Sequence, residues 1–190
     1  FRIETVGFAA LYRDIGTQGA GTRGGQLTGT ERSADWLKAG GLRPTRQRLA
    51  LARAVALLKT AKKPLIIAGG GVRYSGAENA VADFAAKRGI PVVETIAGKG
   101  GLTHDHPVHC GPIGIVGSTS ANALAAEADV IIAIGTRLQD FTTGSWTAFA
   151  QDAQFISINA ARFDAVKHRA IAVVGDALAA LMEFAGYRVV

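Results

Sequence analysis

One cysteine, Cys110, occurs in 190 residues, which excludes an internal disulfide and a cysteine-rich zinc site. A lone thiol is compatible with a cytoplasmic setting. Long apolar runs are missing too. None approaches the ~20 residues of a membrane-crossing helix, so no membrane partner is expected. Charge is scarce at 19%, while 48% of residues are hydrophobic, enough for a sizeable core and too apolar for a disordered chain. Position 1 is Phe rather than Met, and no signal-peptide pattern follows, so the expectation is a piece of a longer cytoplasmic polypeptide. A basic folded unit is also lacking. The net charge of +6 arises within residues 1–60, which hold ten Lys or Arg against four Asp or Glu; residues 61–190 hold eleven of each. A nucleic-acid-binding domain carries its basic patch on the folded unit, so no nucleic-acid partner is expected. The surplus fits a solvated extension, or a surface packed on another domain.

What is present divides at about residue 43. Residues 1–43 contain nine glycines and no sustained period, and GTQGAGTRGGQLTGT reads as flexible loop. Residues 44–190 read as one domain. Pro44 suits the first turn of a helix whose stripe is Leu49, Ala52, Val55, Ala56 and Leu58. Short apolar runs at 64–68, 91–94, 129–134, 155–158 and 170–174 have the pattern of strands buried on both faces. A sixth strand is expected near Leu102 or Val108. Between the runs lie helical patterns. Ser75 and Glu78 have capping-box spacing, Gly89 suits a helix end, and Ser118 and Asp176 suit N-caps. Strands alternating with helices require a parallel sheet with right-handed crossovers. The fold class is therefore α/β: a three-layer α/β/α sandwich of Rossmann type with five or six strands.

Ligands of such sheets bind beyond the carboxyl ends of the strands. Gly69-Gly70-Gly71 follows the first strand, and Arg73 stands close behind. The glycines serve either a phosphate approached by backbone or a tight turn that needs positive φ. The dinucleotide fingerprint is incomplete, since position 74 is Tyr, and Glu94 is the one acidic residue at a second strand end. Gly135-Thr136-Arg137 follows a later strand. Arg137 pairs either with a ligand phosphate or carboxylate, or with Asp140 or a neighbouring domain as a structural ion pair. These seven residues are the candidate nucleotide or anion site. His104, His106 and His109 have a spacing open to a metal, but no other region supplies a partner, so a solvated loop or domain contact is the expectation. Cys110 reads as small apolar filler. Asp164, Lys167 and His168 read as an exposed helix face.

The segments KPLIIAGGGVRYSGA, GIPVVETIAGKGGL, DHPVHCGPIGIVGSTSAN, ADVIIAIGTRLQDFTTGSW and FISINAARFDAVKH together carry a resemblance. Over residues 44–186 the chain resembles the central domain of thiamine-diphosphate-dependent enzymes. Within that superfamily VRYSGA, VETIAGKG and GTRLQDFTTGSW are most similar to the hydrolases that open a trihydroxycyclohexane-dione ring in myo-inositol catabolism, a group also labelled malonic semialdehyde oxidative decarboxylases. The resemblance implies a parent enzyme that uses thiamine diphosphate and magnesium, held by domains outside this chain. It implies flanking domains of the same polypeptide as partners, a homo-oligomeric parent, and a fragment inert alone. Flavin-binding relatives such as acetohydroxyacid synthase contact FAD at the positions of Gly69-Gly70-Gly71 and Gly135-Thr136-Arg137. Here Phe141 stands where they have an arginine, and the loop near Val116 lacks their histidine, so FAD is expected to bind poorly. The alternatives are an FAD- or ADP-binding central domain of a synthase or decarboxylase, and a free-standing dinucleotide-binding module.

Overall fold

The computed structural model describes residues 29–39, 41 and 43–185. The loop reading of residues 1–28 lies outside them. In chain order the elements are α1 (Gly29–Ala39), α2 (Arg46–Thr60), β1 (Pro64–Ala68), α3 (Gly70–Tyr74), α4 (Glu78–Arg88), β2 (Val92–Glu94), β3 (His109–Pro112), α5 (Thr119–Glu127), β4 (Val130–Ile134), α6 (Asp140–Thr143), β5 (Gln154–Asn159), α7 (Arg162–Ala165), β6 (Ile171–Val174) and α8 (Ala177–Ala185). The six strands form one parallel sheet in the order β3-β2-β1-β4-β5-β6. The order reverses between β1 and β4, which is where an open sheet of this kind has its crevice.

Alternation along each strand builds two cores. Ile66 and Ala68 of β1 face one side with Ile132, Ile134, Ile156 and Ile158, under α2, α4 and α8. Leu65 and Ile67 face the other with Ile131, Ala133 and Phe155, under α5 and the 138–149 segment. Both faces are covered, which is why the strands read as unbroken apolar runs. Ile66, Ile67, Ile131, Ile132, Ile134 and Ile156 are fully buried.

Several local expectations change. Helix α2 starts at Arg46, and Thr45 rather than Pro44 closes its end by accepting the Arg48 N–H. Its buried stripe is Leu51, Ala52, Ala54, Val55 and Leu58; Leu49 is half-buried and Ala56 exposed. Ser75 does not cap α4. Its hydroxyl donates back to the Gly71 and Val72 carbonyls and closes α3, and Ala77 holds the N-cap position of α4. Ser118 and Asp176 do cap, accepting from the N–H groups of Ala121 and Ala179. Residues 29–39 of the leading segment form a helix beside α2, with Leu37 fully buried.

Candidate functional site

The loops after β1 and β4 meet at the switch point, and glycine is what lets them. The Gly69 N–H donates to the Ile134 carbonyl and the Gly71 N–H to the Gly135 carbonyl, both at 2.8 Å. The Gly135 N–H continues to Ile158 of β5, also at 2.8 Å. A Cβ on Gly71 would lie 2.6 Å from the Gly135 Cα, and one on Gly69 would strike Gly135 and Thr136. Positive φ is therefore not the reason for the triple glycine. Gly69 is extended at φ −104°, and Gly70 opens α3; the left-handed glycine of the pair of loops is Gly135, at φ +59°. The physical requirement is close backbone approach. It also removes two of the three glycine N–H groups from any phosphate, since both are already bonded.

Beside this seam lies a cleft of about 750 Å³. Gly70, Gly71, Gly135, Thr136 and Arg137 line it, with Thr95, Ile96, Ala97, Phe141, Asn159 and Asp164 among the other wall residues; Gly69 and Arg73 are not among the lining residues. Arg73 instead donates to the Lys99 carbonyl at 3.1 Å. The Arg137 Nε stands 3.5 Å from the Asp164 carboxylate, and the side chain remains 68% exposed. Its partner is thus Asp164 and not Asp140, whose carboxylate accepts from the Ser145 hydroxyl. Asp164 is itself buried and takes the Lys167 ammonium at 2.7 Å. The same ammonium donates to the Arg137 carbonyl at 2.7 Å, so side chain and backbone of Arg137 are held together. This corrects the exposed-helix-face reading for Asp164, which is buried, and Lys167, which is half-buried; His168 is exposed, but its backbone is not helical. His168 adopts φ +53° and stacks on Trp146 with ring centroids 4.2 Å apart. Terminal guanidinium nitrogens of Arg137 are left as the cleft's positive group.

Two residues that sequence reasoning did not single out as structural hubs hold the rim. Asn159, at the end of β5, donates to the Thr136 carbonyl at 2.8 Å and accepts from the Ala161 N–H at 2.9 Å. The cue available in sequence was an Asn at a strand end followed by small residues, an Asx-turn pattern. Glu94, at the end of β2, is buried. Its carboxylate accepts the Gly100 and Leu102 N–H groups at 3.1 and 2.8 Å and meets His109 Nε2 at 3.3 Å. Glu94 is therefore committed to the 95–102 turn and is not placed to receive a ribose. His109 is a strand residue with a buried carboxylate partner rather than part of a solvated loop, while His104 is exposed and His106 accepts the Val108 N–H. Among the described residues no three His, Cys, Asp or Glu side chains converge as a metal site. The Asp176 carboxylate is engaged as the cap of α8. The donors present do not fit a magnesium diphosphate. Among the described residues no helix is long and apolar enough to cross a membrane.

The family described as thiamine pyrophosphate enzyme, central domain, matches residues 51–184. Similar relatives carry the name 3D-(3,5/4)-trihydroxycyclohexane-1,2-dione hydrolase. The one from Geobacillus thermodenitrificans is 48% identical over 128 residues, which is 67% of this chain and 20% of the relative. That from Clostridium perfringens is 43% identical over 131 residues, 68% of this chain and 20% of the relative. A Bacillus cereus protein with the same name, numbered 2, is 45% identical over 136 residues, 71% and 21% of the two chains. The chain spans about a fifth of the length of these curated relatives.

Proposed function

Because the chain belongs to the thiamine pyrophosphate enzyme central-domain family, we propose that it is the assembling domain of a hydrolase that opens the ring of 3D-(3,5/4)-trihydroxycyclohexane-1,2-dione. The observation that carries this reading is 43–48% identity to relatives of that name over 128–136 residues. Thiamine diphosphate and magnesium belong to other domains of the parent, consistent with an Asp176 already committed to a helix cap. The parent works in the cytoplasm as a homo-oligomer, and this domain's partners are the flanking domains of the same polypeptide. Its own contribution is rigid spacing: a sheet covered on both faces, with its two halves tied through glycine backbone. The test is turnover by the parent enzyme. Supplied with thiamine diphosphate, magnesium and the dione, it should consume the dione and one water. A parent that binds the cofactor and leaves the dione intact would assign it to another reaction.

One feature supports a second, subordinate role for the cleft. Arg137 offers free guanidinium nitrogens there while Gly70, Gly71, Gly135 and Thr136 form the adjoining rim. Any bound anion or nucleotide would sit at this rim, near Gly69 and Arg73. Since two of three glycine N–H groups are spent, binding of ADP should be weaker than about 0.1 mM, and FAD should be no better. Titration of ADP into the wild-type chain and into Arg137→Ala checks this. Tight binding, or binding indifferent to the substitution, would contradict it.

A further inference from the structure

Among the described residues, exposed large apolar side chains gather on one edge of this domain. Tyr74 follows β1, Ile96 follows β2, Ile115 and Val116 follow β3, Phe141 follows β4, and Phe163 follows β5. Each lies in the segment leaving the carboxyl end of a strand; the remaining exposed case, Val166, sits just after the helical turn that carries Phe163. The turns at the amino edge, before β1, β2, β4 and β5, expose no large apolar side chain among the described residues. Tyr74 is 96% and Phe163 78% accessible, so these are not partly covered core residues. Five of them adjoin, and Phe163 directly precedes the cleft residue Asp164 in the chain. Tyr74, Ile96 and Phe141 share the walls of the cleft. The Ile115 N–H donates to the Phe141 carbonyl at 3.0 Å, which sets Ile115 and Val116 beside it. Scattered apolar residues are ordinary on a protein surface, whereas a contiguous band with a polar rim marks a face that another protein surface covers.

We infer that the carboxyl edge of the sheet is the docking face for the remaining domains of the parent polypeptide. The inference rests on the proposed reading of the chain as one domain of a larger enzyme. Length argues for this occupant: about four-fifths of each relative lies outside the matched region. A concave cleft of about 750 Å³ calls for a projecting partner surface to fill it. A surface of different shape can project into the cleft and cover its apolar walls.

The test uses positions of the band outside the cleft lining. In the parent enzyme, a photo-crosslinking amino acid replaces Val116 or Phe163. Crosslinks should map to domains outside the matched region of the same polypeptide. Crosslinks to the same edge of another copy, or none at either position, overturn the inference. In parallel, Val116→Asp and Phe163→Asp should each lower the parent's melting temperature by more than about 5 °C, while the 190-residue chain shifts by no more than about 2 °C. Gln151→Asp, at the amino edge, is the control and should shift neither. Equal small shifts in the parent and the chain would also overturn it. Crosslinks to other domains from a parent that does not consume the dione would sink the proposed reaction and leave this docking face standing.

Discussion

Gly135 and Gly89 both hold left-handed backbone, at φ +59° and +63°, yet alanine should cost them different amounts. At Gly89 a Cβ meets open space, so Gly89→Ala carries the backbone strain alone, about 1 kcal/mol. At Gly135 the Cβ also stands 2.6 Å from the Gly71 Cα, and neither backbone can retreat without breaking the seam. Strain plus overpacking gives about 2–4 kcal/mol. Urea denaturation of both variants checks the difference, and equal losses would mean the loops absorb the clash. Glu94 makes a second residue-level case. Glu94→Gln keeps the shape but replaces one acceptor oxygen by a donor facing the Gly100 or Leu102 N–H or His109. A loss of about 1–3 kcal/mol in a melting experiment is expected. Sequence marked the glycines as special while giving the wrong physical reason, because close approach depends on a loop more than sixty residues away. Glu94 carried no local signal of its role, since its partners come from a turn and a neighbouring strand.

Strands were the most legible elements. Five apolar runs in the sequence correspond to β1, β2, β4, β5 and β6, because a strand covered on both faces needs apolar residues throughout. β3 escaped that logic. It is an edge strand reading His-Cys-Gly-Pro, half-buried, and it pairs with β2 through an irregular register. Only its neighbourhood near Val108 was readable. Helix α3 was hidden because two of its five residues are glycine, which propensity alone assigns to a turn. The turn entering β1 is set by Asp129, whose carboxylate accepts the Lys62 and Lys63 N–H groups at 2.7 and 2.9 Å. Burial opposes its ionisation, but the N–H groups of Lys62, Lys63, Asp129 and Val130 outweigh burial, and the carboxyl titrates below its ordinary range. The stabilisation is complete above the ordinary Asp value near 4 and is lost as pH falls through the lowered one. Wild type should therefore melt above Asp129→Asn at pH 7, and the gap should narrow by pH 3. A gap constant with pH would show that the carboxylate charge plays no part.

For the molecule as a whole, the candidate site was legible as two loops but not as a cleft. Which side chains Arg137 would find, and that Asn159 and Asp164 would join it, depended on strand order, which no single segment encodes. The proposed division of labour with other domains leads to a direct expectation. Calorimetry with thiamine diphosphate and magnesium should detect no binding to the 190-residue chain, and a dissociation constant in the micromolar range would contradict it. The glycine seam has one more consequence, for the way the domain comes apart. Hydrogen bonds from Gly69 and Gly71 reach the end of β4, and the one from Gly135 reaches β5, so the two halves of the sheet share their loop backbone. Neither half can open while the other stays closed. Amide hydrogens of Gly69, Gly71 and Gly135 should therefore exchange with solvent only through global unfolding, at the same free energy as those of Ile66 and Ile132 in the central strands, although they border an open cleft. Faster exchange at the three glycines would reveal two separately breathing halves in place of a single cooperative unit.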